Sequence, residues 1–276
     1  MTGRLSCFSY LRRVQARKMP RLLKPAHVLP LIAAVLAATF LVFGNRSHSS
    51  NRHSEARTSS LAPVSGPYSP SIDPANFVAR IDNPYFPLER GTSLHYEGVA
   101  EDGKTRQTDI AVVTGIKKKV MGVTCTAVRD TVSSHGKPVE RTFDWYAQDK
   151  QGNVWYFGED ARNYRNGRFV KARDSWEGGV DGAKPGIIME ASPRRGDSYR
   201  QEYYLGHAED QARVIGRRGA VRVPFRTFKR TLVTIEKSAL EPGAREKKWY
   251  TAGVGEIKSK VIKGDHEAFA LVGVKR

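Results

Sequence analysis

The chain has 276 residues, with 46 lysines and arginines against 28 acids and a formal net charge of +18. It has 2 cysteines, so a disulfide-rich scaffold is excluded. The charge is uneven, because residues 1–44 carry +7 without a single acid, whereas residues 73–276 carry +9. The part of the chain that is long enough to bury a core is therefore only moderately basic.

An uncharged apolar run occupies residues 28–43, within the basic N-terminal segment. As a helix it would span about 24 Å, a little less than the roughly 30 Å hydrocarbon core of a bilayer. A basic flank before an apolar run predicts export, with the flank left in the cytoplasm. Two interpretations stay open, a cleaved signal peptide and a retained membrane anchor. A buried core helix is less favoured, since a polar linker follows and no amphipathic segment does.

These features predict three regions. Residues 1–44 form the basic segment with its signal peptide or anchor, residues 45–72 a disordered linker, and residues 73–276 an exported domain. The protein is expected to be extracytoplasmic, secreted or anchored to the cell membrane of a bacterial envelope. Cys7 would stay in the cytoplasm, so no internal disulfide is expected, and Cys125 is interpreted as a small buried hydrophobic residue.

Short apolar runs alternate with turn residues throughout the exported domain, at spacings of about ten residues. The strands predicted outside the central hairpin are 93–99, 106–117, 123–133, 139–147, 161–164, 168–172, 197–204, 212–216, 220–223, 226–238, 246–251, 256–262 and 267–272. The pattern predicts a mainly β fold, an antiparallel meander that forms a half-barrel, a barrel or a sandwich. One N-terminal hydrophobic helix, over residues 28–43, would precede it.

The strongest local signal lies in residues 143–160, where two aromatic runs flank a turn at residues 149–153. Side chains alternate between the faces of a strand, so Trp145 points to one face while Asp144 and Tyr146 point to the other. A strand pair with rings on both faces is expected in the middle of a sheet. One face would cover the core and the other a partner, a flap or a ligand.

Aromatic residues make up the predicted ligand-binding site, in which they would line or close the concave side of the sheet. Residues 178–186 are rich in glycine and would form a mobile flap over it. The set is Trp145, Trp155, Tyr156, Phe157, Tyr199, Tyr203 and Tyr204. The alternative is that all of these rings belong to the core.

An enzymatic alternative depends on carboxylates beside these rings. Asp144, Glu159 and Glu202 are the candidate catalytic residues of a hydrolase of an envelope polysaccharide, which needs two carboxyl groups about 5 to 9 Å apart across a groove. No nucleophile elbow, nucleotide-binding loop or histidine pair with metal-ligand spacing is present in the sequence. No cofactor and no metal are therefore expected, and an enzyme is the less favoured class.

The turn between the two aromatic runs partly matches a calcium-binding loop. Asp149, Gln151, Asn153 and Asp160 stand at ligand positions of such a loop. Its sixth position is Val154 instead of glycine, and the residues after it are typical of a strand. Turn chemistry is therefore the favoured explanation of these polar residues.

Basic residues interleaved with rings, as in residues 225–230, are also typical of nucleic-acid binding. Export argues against nucleic acid as the partner. Outside the cytoplasm the polyanions are phospholipid headgroups and anionic wall polymers, so a lipid or an envelope polymer is the expected partner. A solvated basic face that serves only solubility is the alternative.

Five runs of the exported domain carry a resemblance to known sequences. They are NPYFPL at 83–88, DWYAQD at 144–149, VWYFGED at 154–160, DGAKPGI at 181–187 and GDSYRQEY at 196–203. They resemble the sequences of an uncharacterised family of secreted bacterial proteins, which implies no activity and no catalytic residues. The architecture is more distantly similar to the curved-sheet carriers of lipoproteins and lipids in bacterial envelopes, and any function taken from that similarity is analogy.

The leading hypothesis is an exported, membrane-tethered or secreted β domain that binds an apolar or amphipathic envelope ligand, or a protein partner, without catalysis. A polysaccharide hydrolase and a purely structural envelope protein are the alternatives.

Overall fold

The computed structural model describes residues 61–276 of the chain. The predicted hydrophobic helix over residues 28–43 lies outside this range, as does most of the predicted linker. Within residues 61–276, no helix is long and apolar enough to cross a membrane. The helical structure in this range is a 3-10 turn, Pro74–Asn76, which the side chain of Asp73 caps at its N-terminus.

Strands make up almost all of the regular structure in residues 61–276. In chain order they are β1 Phe77–Val78, β2 Ser93–Val99, β3 Arg106–Val120, β4 Val123–Ser134, β5 Lys137–Asp149, β6 Val154–Arg165, β7 Arg168–Lys171, β8 Trp176–Glu177, β9 Lys184–Met189, β10 Ser198–Arg200, β11 Glu202–Tyr203, β12 Asp210–Arg218, β13 Val221–Arg222, β14 Thr227–Phe228, β15 Thr231–Ser238, β16 Arg245–Thr251, β17 Gly255–Lys263 and β18 Ala268–Lys275. The mainly β prediction is thus confirmed, and β2 has the predicted bounds.

Sixteen of these strands form one antiparallel sheet, ordered β10-β12-β15-β16-β17-β18-β2-β3-β4-β5-β6-β9-β11, with β1, β7 and β8 beside this path. The two ends of the order, β10 and β11, belong to one short segment of chain. Its first part pairs with β12 and its second part with β9. The sheet is therefore nearly closed, like a barrel. Gly186 makes this closure possible, because a Cβ there would lie 2.5 Å from the carbonyl carbon of Gln201.

The central hairpin is present as predicted, formed by β5 and β6. Its strands pair Asp144 with Glu159 and Tyr146 with Tyr156, so β6 has one residue more than β5 between these pairs. The extra residue is a β-bulge at Gly158, whose φ of +132° favours glycine. A Cβ at this position would lie 2.4 Å from the carbonyl oxygen of Trp176.

Two predictions about the chain between strands are wrong. Residues 176–186 are too rich in glycine for a regular strand to be predicted, but β8 pairs there with β6, and Lys184 and Pro185 at the start of β9 pair with β11. Pairing partners on a neighbouring strand outweigh the local preference of glycine for turns. Residues 226–238 were expected to form one strand, but β14 ends at Phe228 and pairs with β13 in a separate two-stranded sheet.

Residues 61–72, which were assigned to the linker, pack against the seam where the sheet closes. Ala62 is fully buried, and its carbonyl accepts a hydrogen bond of 2.8 Å from the backbone N–H of Arg200. The Tyr68 ring is buried, and its hydroxyl donates to the carbonyl of Pro185 at 2.6 Å. In the structure, the packed chain therefore begins before the predicted domain boundary at residue 73.

The lead-in to β2 also packs into the core. Phe86 is buried and meets the ring of Tyr146 edge-on at 5.1 Å between centroids. Asn83 fixes the position of this segment, because its side-chain amide donates to the carbonyls of Gly152 and Glu190. The lead-in thus ties the β5–β6 turn to the chain that follows β9.

Candidate functional site

A cavity of about 400 Å³ lies where β5, β6 and β8 meet the loop that follows β8. We call it the β6 pocket. Its aromatic lining consists of Trp145, Trp176 and Tyr204. Charged residues of both signs surround the rings, namely Lys118, Arg162 and Lys171 with Glu159, Asp160, Glu177 and Asp181. The pocket therefore combines apolar faces with groups that can donate and accept hydrogen bonds.

One wall of the β6 pocket is Trp145, which is 8 % exposed. Its ring stacks on Phe143 with centroids 6.0 Å apart and an interplanar angle of 7°. The ammonium group of Lys118 lies 4.6 Å from the ring centroid and 2.6 Å from Oε2 of Glu177. This lysine thus joins β3, β5 and β8 at the pocket through a cation–π contact and an ion pair.

A second wall is Trp176, which the pairing of β8 with β6 places opposite Glu159. Its ring meets Tyr156 edge-on at 5.4 Å, and its indole N–H donates to Oε2 of Glu202 at 2.9 Å. Because its ring and its polar atom both have partners in the interior, Trp176 forms a fixed wall of the pocket.

The three candidate catalytic carboxylates lie close together beside Trp176. The hydroxyl of Tyr156 is 2.6 Å from Oδ1 of Asp144 and 3.0 Å from Oε2 of Glu159, so the two carboxyl groups are adjacent. Glu202 joins them through Trp176. All three acids are at most 5 % exposed. Of the three, Glu159 lines the β6 pocket, and the structure does not place a pair of them across this pocket.

The predicted ligand-binding rings divide into two groups. Trp145 and Tyr204 line the β6 pocket, and Tyr204 also stacks on His207 at 4.2 Å. The other rings do not line it. Trp155 and Phe157 are buried against Phe77, because they alternate with Tyr156 and therefore face the opposite side of β6.

Three tyrosines of the predicted set also lie away from the β6 pocket. Tyr156 is buried behind Trp176, as described above. Tyr199 is fully buried, and burial together with the nearby acids raises the pKa of its hydroxyl well above the usual value. Tyr203 packs edge-on against Tyr68 at 5.9 Å, with the guanidinium of Arg200 4.9 Å from its ring.

The predicted flap over residues 178–186 is held at both ends. The N–H of Gly178 donates to the carbonyl of Phe157, and the N–H of Gly179 donates to that of Ala183. Residues from Lys184 onward belong to β9. The flap prediction is therefore wrong for 184–186, and the remaining loop is a hydrogen-bonded turn whose Val180, Asp181 and Ala183 line the β6 pocket.

A polar cluster that the sequence analysis missed lies on the inner face of β15, β16 and β17. Lys248 is 2 % exposed, and its ammonium nitrogen lies 3.0 Å from Glu236, 3.6 Å from Glu246 and 4.0 Å from Glu256. Burial raises the pKa of Glu246 to about 7 and that of Glu256 well above its usual value. Burial alone would lower the pKa of Lys248, but the three carboxylates raise it.

Two earlier interpretations of single residues agree with the structure. Cys125 is fully buried, and burial raises the pKa of its thiol to about 12, which makes it a poor nucleophile. The carboxylate of Asp149 accepts hydrogen bonds from the backbone and side chain of Asn153 and from the indole of Trp155, each at 2.9 Å. Among residues 61–276, no three His, Cys, Asp or Glu side chains are grouped to hold a metal ion.

Several residues that line the β6 pocket have no clear signal in the sequence. Lys118 stands in a run of three lysines that looks like a solvated edge, and Glu177 lies in a glycine-rich stretch. Trp176 could have been identified from the sequence, because a tryptophan beside a loop is a common binding residue. The other two depend on strand pairings that are distant in sequence.

No protein-family model matches this chain. No curated protein matches it either. Two solved structures are similar to it. One is an inferred exported protein of Bacteroides fragilis with a YmcC-like fold, at 13 % identity and a TM-score of 0.38, covering 70 % of this chain and 100 % of that one. The other is an inferred lipoprotein of Parabacteroides distasonis, at 12 % identity and a TM-score of 0.36, covering 70 % and 99 %. Likenesses this distant say nothing about what this chain binds.

Proposed function

We propose that the protein is an exported β domain of the bacterial envelope that binds a small amphipathic ligand in the β6 pocket without catalysis. The observation that carries this proposal is the pocket itself, with three aromatic rings and charges of both signs. Its volume of about 400 Å³ lies in the range of small-molecule sites.

Export is proposed from the first 44 residues, in which a basic segment contains an apolar run. Whether the chain is secreted or tethered depends on whether residues 28–43 are removed. Either outcome places the folded domain among envelope lipids and polymers, which supply amphipathic ligands.

The ligand class follows from the pocket lining. A purely apolar molecule would bury the charged groups around Lys118 and Glu177 without offering them hydrogen bonds, which is unfavourable. A purely polar ligand would make no apolar contact with the faces of Trp145 and Tyr204. A ligand with one apolar face and several hydroxyl or charged groups, such as a sugar unit or a lipid headgroup with its glycerol, satisfies both.

The carboxylates favour binding over hydrolysis. Asp144 and Glu202 lie behind the pocket wall, where Oδ1 of Asp144 accepts a hydrogen bond from the hydroxyl of Tyr156 and Oε2 of Glu202 accepts one from the indole of Trp176. Glycoside hydrolysis needs an acid and a second carboxylate on opposite sides of the scissile bond. In this arrangement the carboxylates instead hold the rings in position.

The proposal is tested with the full chain, produced in a bacterial host with its own N-terminal segment. Envelope molecules that co-purify are extracted and identified, and the extract is compared with those from Trp145→Ala and Tyr204→Ala. Tyr164→Ala is the matched control, because this ring is 46 % exposed and lies outside the pocket. We expect the pocket variants to lose the molecule about tenfold or more and the control to keep it.

A further inference from the structure

The outer face of β15, β16 and β17 is a basic surface that the β6 pocket does not use. We call it the lysine face and define it by Lys237, Lys247, Trp249, Lys258 and Lys260. These residues alternate along their strands with the buried Lys248 cluster, so they point away from it. The pairings of Lys247 with Lys260 and of Trp249 with Lys258 place them side by side.

Charges on this part of the sheet are sorted by sign. The acids of β12, β15, β16 and β17 are Asp210, Glu236, Glu246 and Glu256, and all four are at most 6 % exposed. Among the lysines and arginines of the same four strands, Lys248 is buried and every other one is at least partly exposed. The outer face of these strands is therefore cationic without a compensating acid of its own.

Trp249 lies in the middle of this charge. The ammonium nitrogen of Lys247 is 4.9 Å from its ring centroid, and that of Lys258 is 5.3 Å away. Trp145, Trp155 and Trp176 are all at most 8 % exposed, whereas Trp249 is only partly buried. The lysine face thus presents the most accessible tryptophan of the chain, flanked by two cations.

Such an arrangement is unfavourable for an isolated sheet. Like charges directly opposite each other on neighbouring strands destabilise the pairing, and Lys247 faces Lys260 while Arg245 faces Lys263. An extended anionic partner would remove this repulsion. Such a partner would also contact the ring of Trp249, which has an apolar body and a polar N–H.

We propose that the lysine face docks on the surface of a bilayer that contains anionic phospholipids. This inference rests on the proposed export, which places the domain beside such a surface. Several lysines on one face match a surface of negative headgroups, and each contributes to attraction near the surface. Tryptophan is the residue that favours the boundary between headgroups and acyl chains.

The test uses the full chain incorporated into phosphatidylcholine vesicles, with or without phosphatidylglycerol. Both vesicle types carry lipids brominated near the headgroup, which quench tryptophan at short range. Trp249→Phe gives the background from the three buried tryptophans. We expect Trp249 to be quenched in the phosphatidylglycerol vesicles, and the quenching to weaken as salt is added.

The variant Lys247→Gln/Lys258→Gln/Lys260→Gln should weaken this docking about 100-fold. The matched control is Lys137→Gln/Arg165→Gln/Arg168→Gln, which removes the same charge from exposed strand ends elsewhere and should leave docking nearly unchanged. Circular dichroism verifies that both remain folded. If the triple variant does not fold, the single change Lys260→Glu replaces it in the test, and it should also weaken docking.

Four results would overturn the inference. Equal quenching in both vesicle types would mean that headgroup charge is not recognised, and absence of quenching in both would mean that the face does not dock. Equal losses in the two triple variants would assign the effect to net charge. Binding of soluble polyglycerol phosphate, without quenching by the vesicles, would assign the face to an anionic polymer. None of these measurements depends on the β6 pocket, so a failure of the proposed ligand binding there would be seen separately.

Discussion

Tyr156 and Glu159 lie three residues apart on β6, yet the hydroxyl of the tyrosine is 3.0 Å from Oε2 of the glutamate. Residues at this spacing face opposite sides of a regular strand. The bulge at Gly158 resets the alternation, so both side chains share the inner face. The bulge therefore places the carboxyl group of Glu159 beside the hydroxyl of Tyr156.

Replacing Gly158 with alanine should destabilise the protein by about 2–4 kcal/mol. The new Cβ would lie 2.4 Å from the carbonyl oxygen of Trp176, and the φ of +132° disfavours any side chain. Gly167→Ala is the control, because its φ is +82° but nothing lies within 4 Å; it should cost about 1 kcal/mol. Urea unfolding measures both, and similar losses would show that the bulge has no special role.

Asp149→Ala should cost about 2–4 kcal/mol, because three hydrogen-bond donors in the β5–β6 turn lose their acceptor. Asp149→Asn keeps one acceptor oxygen and should cost less. Calcium should leave the Tm of the unmodified protein unchanged, since both carboxylate oxygens already accept hydrogen bonds. A rise in Tm with calcium that Asp149→Ala abolishes would contradict this account and restore the calcium-loop interpretation.

Stability should fall as pH rises above the usual range for glutamate. The folded-state pKa of Glu246 is raised from 4.5 to about 7, so the folded chain holds this proton more tightly than the unfolded chain. The contribution of Glu246 to the free energy of unfolding is complete below pH 4.5 and is lost as pH rises to about 7. Glu190, whose pKa is raised to about 8 by burial and by Asp197, acts in the same direction.

Glu246→Gln isolates this effect. In this variant, the loss of unfolding free energy between pH 4.5 and 7 should be smaller by about 3 kcal/mol. Glu89→Gln, at an exposed position, should leave the decline as it is. Urea titrations at several pH values give the comparison, and an unchanged slope in Glu246→Gln would show that this carboxyl does not carry the effect.

Lys248→Met should destabilise the protein by about 3–5 kcal/mol near neutral pH, because it leaves Glu236, Glu246 and Glu256 buried without their cation. The cost should be smaller in mild acid, where the carboxyls are protonated. Lys247→Met, on the outer face of the same strand, should have little effect. A cost for Lys248→Met that is the same at both pH values would contradict the ion cluster.

The sequence predicts the sheet better than the site. Alternating side chains and turn residues locate β2 to β5 and the central hairpin, because strand and turn preferences act over a few residues. The closure at Gly186 and the bulge at Gly158 depend on backbone approaches between distant segments, which no local pattern reveals. Trp145 and Tyr204 were predicted and line the β6 pocket, whereas Lys118 and Glu177 are brought there by pairings far apart in the chain.

The Lys248 cluster illustrates the same limit. Lys247 and Lys248 are adjacent and look alike in the sequence, yet one is partly exposed and the other is buried. The three glutamates that permit the burial come from three strands. A charged residue in a strand gives no sign of its face unless its cross-strand partners are known.

Native mass spectrometry of the intact chain, purified from the envelope of a bacterial host, is the decisive test of ligand binding in the β6 pocket. We expect a small amphipathic molecule bound to the folded protein, lost from Trp145→Ala and kept by Tyr164→Ala. A protein mass without any adduct, together with unchanged masses after incubation with envelope extracts, would contradict ligand binding in the β6 pocket.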